Sequence, residues 1–210
     1  MGVTGKARHG KDSIADRLVA RHGFKRMNFA GPLKEVLAKM NPIIGFDLYR
    51  PQSLIHLDTA LKQYGGEDGV KKLYPEYRRL LQQLGTEGIR SIDEEFWIKA
   101  AAKMINAEPN DARLVFTDCR LPNEAKAIQQ AGMWGNYVLP LPDPTTELWT
   151  VHRDIEPLPG EQPHVSEQHV GKMGEQVEIE NNGTIFDLNA VVDSHVRDLI
   201  EVEAVKLAGG

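Results

Sequence analysis

The stretch Gly5-Lys6-Ala7-Arg8-His9-Gly10-Lys11-Asp12-Ser13 follows a short apolar run, Met1 to Thr4, and leads into a segment of helical periodicity, Lys11 to Arg21. Its two glycines allow backbone angles with which successive N–H groups converge on phosphate oxygens, and a helix N-terminus adds partial positive charge. Lys11 supplies a full charge for the β- and γ-phosphates of a nucleotide. A strand, this loop and a helix in that order predict a phosphate-binding loop for ATP, with Lys11 taking part in phosphoryl transfer.

The loop departs from the usual pattern directly after the lysine, where Asp12 stands in place of a hydroxyl residue and Ser13 follows. Asp12 could hold Mg²⁺ directly or through water, since Mg²⁺ binds few carboxylates and keeps several waters. Ser13 would then contact phosphate. We predict that the nucleotide is bound by the residues of the loop: Gly5, Ala7, Arg8, His9, Gly10, Lys11, Asp12 and Ser13. The structural alternative is a glycine-rich turn in which Asp12 only caps the helix.

The rest of the chain alternates short apolar runs with longer segments of helical periodicity, which is the order of a parallel sheet covered by helices. The predicted strands are Met1 to Thr4, Lys25 to Phe29, Arg113 to Thr117, Trp134 to Leu139 and Gln176 to Glu180. The predicted helices are Lys11 to Arg21, Pro32 to Met40, Tyr77 to Leu84, Asp93 to Ile105, Pro122 to Ala131 and about Ile185 to Leu207. The sequence therefore predicts an α/β fold, one domain over residues 1–210 with a five-stranded parallel sheet flanked by helices.

The composition narrows the classes of partner. A net charge of -5 and a pI near 5.8 disfavour general nucleic-acid binding, which normally needs a basic surface. The single cysteine, Cys119, cannot form an internal disulfide or a Cys/His metal cluster. No signal-peptide pattern is present, and no apolar run approaches the roughly 20 residues that a membrane span needs. We expect a cytoplasmic protein with a small-molecule partner, and no nucleic-acid or membrane binding.

Two segments are candidates for binding the acceptor of the phosphoryl group. In Phe29-Ala30-Gly31-Pro32-Leu33-Lys34, the lysine lies in the first turn of a helix, where a cation is disfavoured and a bound anion would explain it. A solvated surface lysine is the alternative. Leu84-Gly85-Thr86-Glu87-Gly88-Ile89-Arg90 is interpreted as a glycine-bracketed turn ending in Arg90, whose fork suits a phosphate. We expect Phe96 in the core, whereas Trp97 either stacks on a base or packs in the core.

Polar residues follow the predicted strand Arg113 to Thr117, at the end where open α/β sheets bind their ligands. Asp118 could hold Mg²⁺ or its water shell, and Arg120 could clamp a phosphate during transfer. Glu124 is a further substrate-binding candidate. Alternatively, Asp118 only caps the next helix, and Arg120 only pairs with Glu124 at helical spacing.

A polar stretch with six prolines, from Pro140 to Pro163, predicts a long loop. We interpret it as a mobile lid of about residues 140–170 whose Arg153 closes over the transferring phosphates, with a decorated surface loop as the alternative. Asn181-Asn182-Gly183-Thr184 follows the last predicted strand. It is either a turn and helix cap or a loop in which Asn182 and Gly183 approach the adenine.

Five motifs occur together in one order: Gly-Lys-Asp-Ser at 10–13, Phe-Ala-Gly-Pro-Leu-Lys at 29–34, Leu-Gly-Thr-Glu-Gly-Ile-Arg at 84–90, Asp-Cys-Arg-Leu-Pro-Asn-Glu at 118–124 and Asn-Asn-Gly-Thr at 181–184. With them the sequence resembles the bacteriophage-type deoxynucleoside monophosphate kinases and, more loosely, phosphomevalonate kinase, which has a similar Gly-Lys-Asp loop. The resemblance implies a P-loop kinase fold with a helical acceptor-binding region at about 32–106. It also implies ATP and Mg²⁺ as co-substrates and phosphorylation of deoxynucleoside monophosphates to diphosphates.

Two other functions stay open on the sequence. A kinase for another small phosphorylated metabolite would use the same loop, and an ATP-dependent switch would act through a protein partner. The anion-binding candidates Lys34, Arg90 and Arg120 argue against a switch, which needs no second phosphate site. The sequence does not decide between a monomer and a homodimer.

Overall fold

The computed structural model describes residues 1–109, 111–129, 146–156 and 168–208, with side chains described up to residue 201. The chain forms two compact units: unit 1 comprises Met1–Phe29 and Ala102–Gly210, and unit 2 comprises Ala30–Ala101. Unit 2 covers nearly the same residues as the predicted helical region 32–106. Each unit has a hydrophobic core of its own.

Within the described residues, the strands are β1 (Gly2–Thr4), β2 (Lys25–Met27), β3 (Ile43–Phe46), β4 (Leu54–His56), β5 (Leu114–Phe116), β6 (Leu148–His152) and β7 (Val177–Glu180). The helices are α1 (Lys11–His22), α2 (Gly31–Met40), α3 (Leu57–Gln63), α4 (Gly66–Leu73), α5 (Pro75–Gln82), α6 (Arg90–Ile92), α7 (Phe96–Ile105), α8 (Pro122–Gln129) and α9 (Ile185–Ala208). A π-helical segment, Gln83–Ile89, joins α5 to α6. None of these helices has the length and apolar character that crossing a membrane requires.

Unit 1 is built on a five-stranded sheet with the strand order β2-β5-β1-β6-β7. Every pair of neighbouring strands in it is parallel. The short strand β1 lies in the middle, where Gly2 is in register with Phe116 on one side and Thr4 with Thr150 on the other. The predicted α/β class, with five parallel strands flanked by helices, is confirmed.

Helices cover both faces of this sheet. The side chains of each strand alternate between the two faces, so both faces present residues that helices can bury. On one face, Val3 and Val151 pack in a core with residues of α1 and α9, among them Leu18 and Val192. On the other face, Ile128 of α8 lies so close to Gly2 that a larger residue there would overlap it. Unit 1 therefore has a helix layer on each side of the sheet.

Strand β6 corrects the sequence interpretation of residues 140–163 as one long loop. Leu148–His152 pairs with both β1 and β7, and its first four residues are buried. The sequence Leu-Trp-Thr-Val-His has the β-branched and aromatic residues typical of strands. The strand was not predicted, because the prolines on both sides of it are typical of loops. The predicted strand Trp134 to Leu139 lies outside the described residues, as do residues 140–145 and 157–167 of the predicted lid.

Unit 2 combines a β-hairpin with helices. The antiparallel pair β3–β4 and the helices α3 and α4 were not predicted, and their buried residues join α2, α5 and α7 in one core. The predicted turn at 84–90 is also wrong, because this segment is helical and leads into α6. Gly85 serves close packing there: it lies against Leu33, and its carbonyl accepts a hydrogen bond of 2.9 Å from the Trp97 indole.

The two aromatic residues at the start of α7 differ in burial, and the exposed one is Phe96, which was expected in the core. Phe96 is 41% exposed, whereas Trp97 is 3% exposed and belongs to the core of unit 2. The two rings meet edge to face with their centroids 5.0 Å apart. The core placement expected for Phe96 is therefore wrong, and Trp97 has the core packing that was one of its two alternatives.

An ion-pair cluster ties α1 to α9 in unit 1. Asp193 accepts hydrogen bonds from Arg17 at 2.8 and 2.5 Å, and the Nε2 atom of His22 lies 2.8 Å from the same carboxylate. The hydrogen bonds from Arg17 hold the pKa of Asp193 well below its ordinary value, although partial burial acts in the opposite direction. Since a carboxyl with a lowered pKa in the folded state favours folding when it is ionised, this cluster stabilises unit 1.

We predict that Asp193→Asn lowers the melting temperature by a few degrees at neutral pH. The lowered pKa of Asp193 gives a stabilisation that is present above the unfolded pKa of about 4 and is lost as the pH falls through the folded value. The difference in stability between the native protein and the variant should therefore be constant near pH 7 and shrink below about pH 4. Denaturant unfolding of both proteins at several pH values measures it, and a difference that grows on acidification would contradict the role given to the ion pair.

Candidate functional site

The carboxyl ends of the parallel strands bring most of the predicted site residues of unit 1 to one edge of the sheet. Residues 5–13, called the glycine loop below, follow β1, and the pair Asp118 and Arg120 follows β5. Arg153 comes directly after β6, and Asn182 with Gly183 comes after β7. Because all five strands run in one direction, these residues share an edge although they are far apart in the sequence.

The glycine loop lies at the point where the direction of the chain connections changes. From β1 the chain passes through α1 to β2 at one end of the sheet, whereas from β5 it passes through α8 to β6 on the other side of β1. Since α1 and α8 cover opposite faces, the carboxyl ends of the neighbouring strands β1 and β5 lie at a topological switch point of the sheet. Open α/β sheets bind their ligands at such switch points.

The backbone of the glycine loop takes angles that ordinary residues avoid. Gly5 has φ 150°, Gly10 has φ 109°, and Arg8, which is not a glycine, has φ 63°. A side chain at Gly5 would meet the Val151 carbonyl at 2.7 Å. Gly10 is the N-cap of α1, and a glycine offers no side-chain oxygen to the amides of the first turn. A strained loop that leads into a helix N-terminus is suited to an anion.

Lys11 is the first residue of α1, and its side chain is folded back onto the glycine loop. The Nζ atom donates a hydrogen bond of 2.7 Å to the carbonyl of Lys6. This ammonium group therefore lies beside the loop backbone that, in our hypothesis, surrounds the phosphates. A phosphate oxygen would be a stronger acceptor than a neutral carbonyl for the same donor.

His9 was predicted as a nucleotide contact, but its imidazole anchors the loop to the neighbouring strand. The ring is buried, with Nδ1 lying 3.1 Å from the backbone nitrogen of Arg153 and 3.3 Å from the Val151 carbonyl. Burial lowers the pKa of His9, the contact with Val151 acts in the opposite direction, and Lys11 and Lys6 lower it further. A neutral ring fits the shorter contact, because the Arg153 N–H can only donate, so that Nδ1 accepts and Nε2 carries the proton. In this tautomer the Val151 carbonyl is a close neighbour of Nδ1 and receives no hydrogen bond from it.

The two predicted metal ligands have protein partners. The Asp12 side chain is 80% exposed and pairs with Arg26 at 3.3 Å, while Arg26 also donates to the Asp12 carbonyl at 3.0 Å. Asp118 accepts a hydrogen bond of 2.9 Å from the Phe29 amide, which ties the end of β5 to the end of β2. In the part of the chain that the structure describes, three or more His, Cys, Asp or Glu side chains nowhere form a metal-binding group.

Glu124 caps a helix. It is buried, and its Oε2 atom accepts hydrogen bonds from the backbone amides of Arg120 at 2.9 Å and Leu121 at 3.1 Å, just before α8. The pairing of Arg120 with Glu124 that the sequence suggested is therefore made by the Arg120 backbone amide. Arg120 is an exposed residue at the sheet edge. These contacts favour a structural task for Glu124 over substrate binding.

A reciprocal hydrogen-bonded pair connects the chain after β6 to the chain after β7. The Asp154 amide donates to Asn182 Oδ1 at 2.7 Å, and Asn182 Nδ2 donates to the Asp154 carboxylate at 2.7 Å. Arg153, which the sequence analysis placed in the lid, thus lies between the last residue of β6 and Asp154 of this pair. Thr184 and Asp187 exchange hydrogen bonds as a capping box at the start of α9, so the turn-and-cap alternative for 181–184 has direct support.

The acceptor candidates Lys34, Arg90 and Trp97 belong to unit 2. Lys34 pairs with Glu67 at 2.8 Å, and Lys71 approaches the same carboxylate oxygen at 3.0 Å. Burial would raise the pKa of Glu67, but the hydrogen bonds from the two lysines hold it below its ordinary value. This ion pair accounts for the position of Lys34 without a bound anion. Arg90 begins α6 directly after the π-helical segment.

Sequence reasoning missed three residues that hold the site residues in place. Asn181 is 5% exposed and its Nδ2 atom donates to the His9 carbonyl at 2.8 Å. Arg26 holds Asp12, and Lys71 shares Glu67 with Lys34. A signal existed only for Asn181, which stands next to the chosen Asn182 in the Asn-Asn-Gly-Thr motif.

Comparison of the chain with protein-family models gave no match. Comparison with curated protein sequences also gave no match.

We predict that Gly10→Ala destabilises unit 1 and opens the glycine loop. A Cβ at residue 10 would overlap the Asn181 amide nitrogen, and φ 109° is unfavourable for alanine. Gly23→Ala is the matched control, since Gly23 ends α1 with φ 70° and no atom lies near its Cβ position. In the control, the free energy of unfolding should fall only by the cost of placing alanine in a left-handed backbone conformation, about 1–2 kcal/mol. Chemical denaturation compares the two, and an equal loss in both variants would contradict the packing argument.

We predict that Trp97→Phe destabilises unit 2 by roughly 1–3 kcal/mol, because it leaves the buried Gly85 carbonyl without the indole donor. Phe96→Leu is the control at the neighbouring, exposed aromatic and should change stability much less. Urea unfolding measures both. A Trp97→Phe variant of native stability would mean that the indole is not a structural part of the core.

Proposed function

We propose that the protein transfers the γ-phosphoryl group of ATP to a deoxynucleoside monophosphate and forms the diphosphate. The observation that carries the proposal is the glycine loop, whose backbone has three residues with positive φ and runs from the end of β1 into the N-terminus of α1 at the switch point of a parallel sheet. Together with Lys11, this order of strand, loop and helix supports the proposal of a phosphate-binding loop. The acceptor class comes from the resemblance of the five motifs to deoxynucleoside monophosphate kinases.

Two features of the loop residues support binding of the triphosphate of ATP. Side chains at Gly5 and Gly10 would collide with Val151 and Asn181, so glycine at both positions lets the bent loop pack closely on the ends of β6 and β7. Lys11 contributes an ammonium group at the first residue of α1, where the helix dipole also favours negative charge. A binding loop with these properties takes phosphate through backbone amides and one lysine.

Oxygen ligands for Mg²⁺ are present at the same edge of the sheet. Asp118 would hold the ion or its water shell, and either Asp12 or Ser13 would contact it from α1. When bound with ATP, Mg²⁺ would offset negative charge on the phosphates. Asp12 would first have to exchange its exposed ion pair with Arg26, which at such a surface position is worth little.

The chain's own part in the reaction is positional and electrostatic. Lys11, Arg120 and Arg153 would offset the charge that spreads over the transferring group. In unit 2, Lys34 and Arg90 would bind the acceptor phosphate. Lys34 would first have to break its ion pair with Glu67. Because that phosphate is already largely anionic near neutral pH, the proposal needs no dedicated general base.

The experiment that tests the proposal incubates the protein with ATP, Mg²⁺ and each of the four common deoxynucleoside monophosphates in turn. We expect a diphosphate product from at least one of them, measured by separation of the nucleotides. Phosphomevalonate serves as an acceptor from another class. Product from phosphomevalonate alone, or ATP hydrolysis without transfer to any acceptor, would refute the proposed acceptor class.

In the same assay Lys11→Ala should reduce transfer by roughly 100-fold or more, because a positive charge at the phosphates is lost. Its melting temperature should stay native, since the Lys11 ammonium group lies at the loop surface. Lys25→Ala is the control: it also removes a lysine from unit 1, but at the start of β2, where Lys25 pairs with Glu108. Equal activity of the Lys11 and Lys25 variants would exclude the glycine loop as the ATP site.

A further inference from the structure

The carbonyl of His9 is fixed by a buried side chain from another strand end. Asn181 follows β7 directly, is 5% exposed, and donates from Nδ2 to the His9 oxygen at 2.8 Å. Its own backbone amide donates to the His152 carbonyl at 2.7 Å, so the side chain extends from a position held by the sheet. The donor is therefore rigid, and the acceptor lies in the middle of the glycine loop.

This hydrogen bond determines which way one peptide unit faces. In a planar trans peptide, the C=O of one residue and the N–H of the next point in opposite directions. Because the His9 carbonyl points inward to Asn181, the Gly10 N–H points away from the protein interior. A rotation of the same unit would turn the carbonyl outward, where it would repel an anion.

Two further contacts hold the same part of the loop. Asn181 packs so closely on Gly10 that no larger residue fits there, and the His9 ring accepts a hydrogen bond of 3.1 Å from the Arg153 amide. The ends of β6 and β7 thus hold residues 9 and 10 from two sides.

We infer that Asn181 is a positioning residue for anion binding, which holds the His9–Gly10 peptide so that its N–H faces the bound phosphates. The inference rests on the proposed nucleotide site and adds a residue that touches neither nucleotide nor metal. It predicts that affinity for the triphosphate depends on the donor at position 181.

Asn181→Asp tests this directly, because an ionised carboxylate has nearly the same shape and cannot donate. The carboxylate would repel the His9 carbonyl and attract the Gly10 N–H, which favours the rotated peptide. We expect the Kd for inorganic tripolyphosphate, measured by calorimetry, to rise by about 10- to 100-fold. Asn181→Ala removes the donor without adding charge and should give a smaller loss in the same direction.

Gln129→Glu is the matched control. The Gln129 amide also donates to backbone carbonyls, those of Met173 and Gly174, but in the segment before β7 rather than after it. This variant loses a comparable donor and should bind tripolyphosphate as the native protein does. Thermal unfolding of all three variants separates a general loss of stability from a change at the loop.

Kinetics give a second readout. The Asn181 variants should raise the KM for ATP and leave the KM for the deoxynucleoside monophosphate unchanged, whereas a merely structural task would move neither constant in the folded fraction. Native tripolyphosphate affinity in Asn181→Asp, or in Asn181→Ala if the first variant does not fold, would overturn the inference. An equal loss in Gln129→Glu would overturn it as well.

The test also separates this inference from the proposed function. If the native protein binds tripolyphosphate and Asn181→Asp does not, but no acceptor is phosphorylated, the proposed kinase reaction fails and the positioning role stands. If diphosphate is formed and Asn181→Asp has native affinity, the reaction stands and the positioning role fails.

Discussion

The orientation of the His9–Gly10 peptide is the constraint on which the rest of the candidate site depends. Gly10 is the N-cap of α1, so this peptide directly precedes the first turn of the helix, whose free amides face the same end. The constraint comes from outside the loop, from Asn181 and from the backbone at the end of β6. The glycine loop is therefore shaped by the neighbouring strands as much as by its own glycines.

The parallel sheet accounts for how distant parts of the chain can share this task. Asn181 and His9 are 172 residues apart, and Arg153 and His9 are 144 residues apart. Since every strand of the sheet ends at the same edge, the residue after one strand lies near the residue after the next. Polar side chains at these ends can support one another without any long connecting loop. The edge gains rigidity because its hydrogen bonds run between strands that the core already holds.

The sequence predicted the local parts of this arrangement well. The order of strand, glycine loop and helix is contiguous, so glycine spacing and helical periodicity were sufficient to find β1, the loop and α1. Strands β2, β5 and β7 were found within a few residues of their ends. Strand β6 was missed because prolines on both sides of Leu148–His152 are typical of loops, whereas its burial depends on pairing with β1 and β7. Local propensity contains no information about such pairing.

The contacts of individual side chains were predictable only where both partners lie close in the sequence. The sequence allowed a core position for either Phe96 or Trp97. Packing in the core of unit 2 and the hydrogen bond to the Gly85 carbonyl make Trp97 the buried one. Lys34 looked exceptional at a helix start because its partner, Glu67, belongs to another helix. Asn181 stood beside a residue that was chosen, but nothing in its neighbourhood pointed to His9. Which residues a side chain contacts is therefore determined by the tertiary fold.

The insertion of unit 2 between two paired strands has a consequence for the order of folding. Strands β2 and β5 are neighbours in the sheet, yet Phe29 and Asp118, which join their ends, are separated by 89 residues. Closing so long a chain before any of it has folded carries a large entropic penalty, and contacts of this kind slow folding. Unit 2 has its own core, so its collapse shortens the flexible chain between the two strands. A nascent chain can therefore order residues 30–101 first and complete the central sheet only when β5 to β7 have been synthesised.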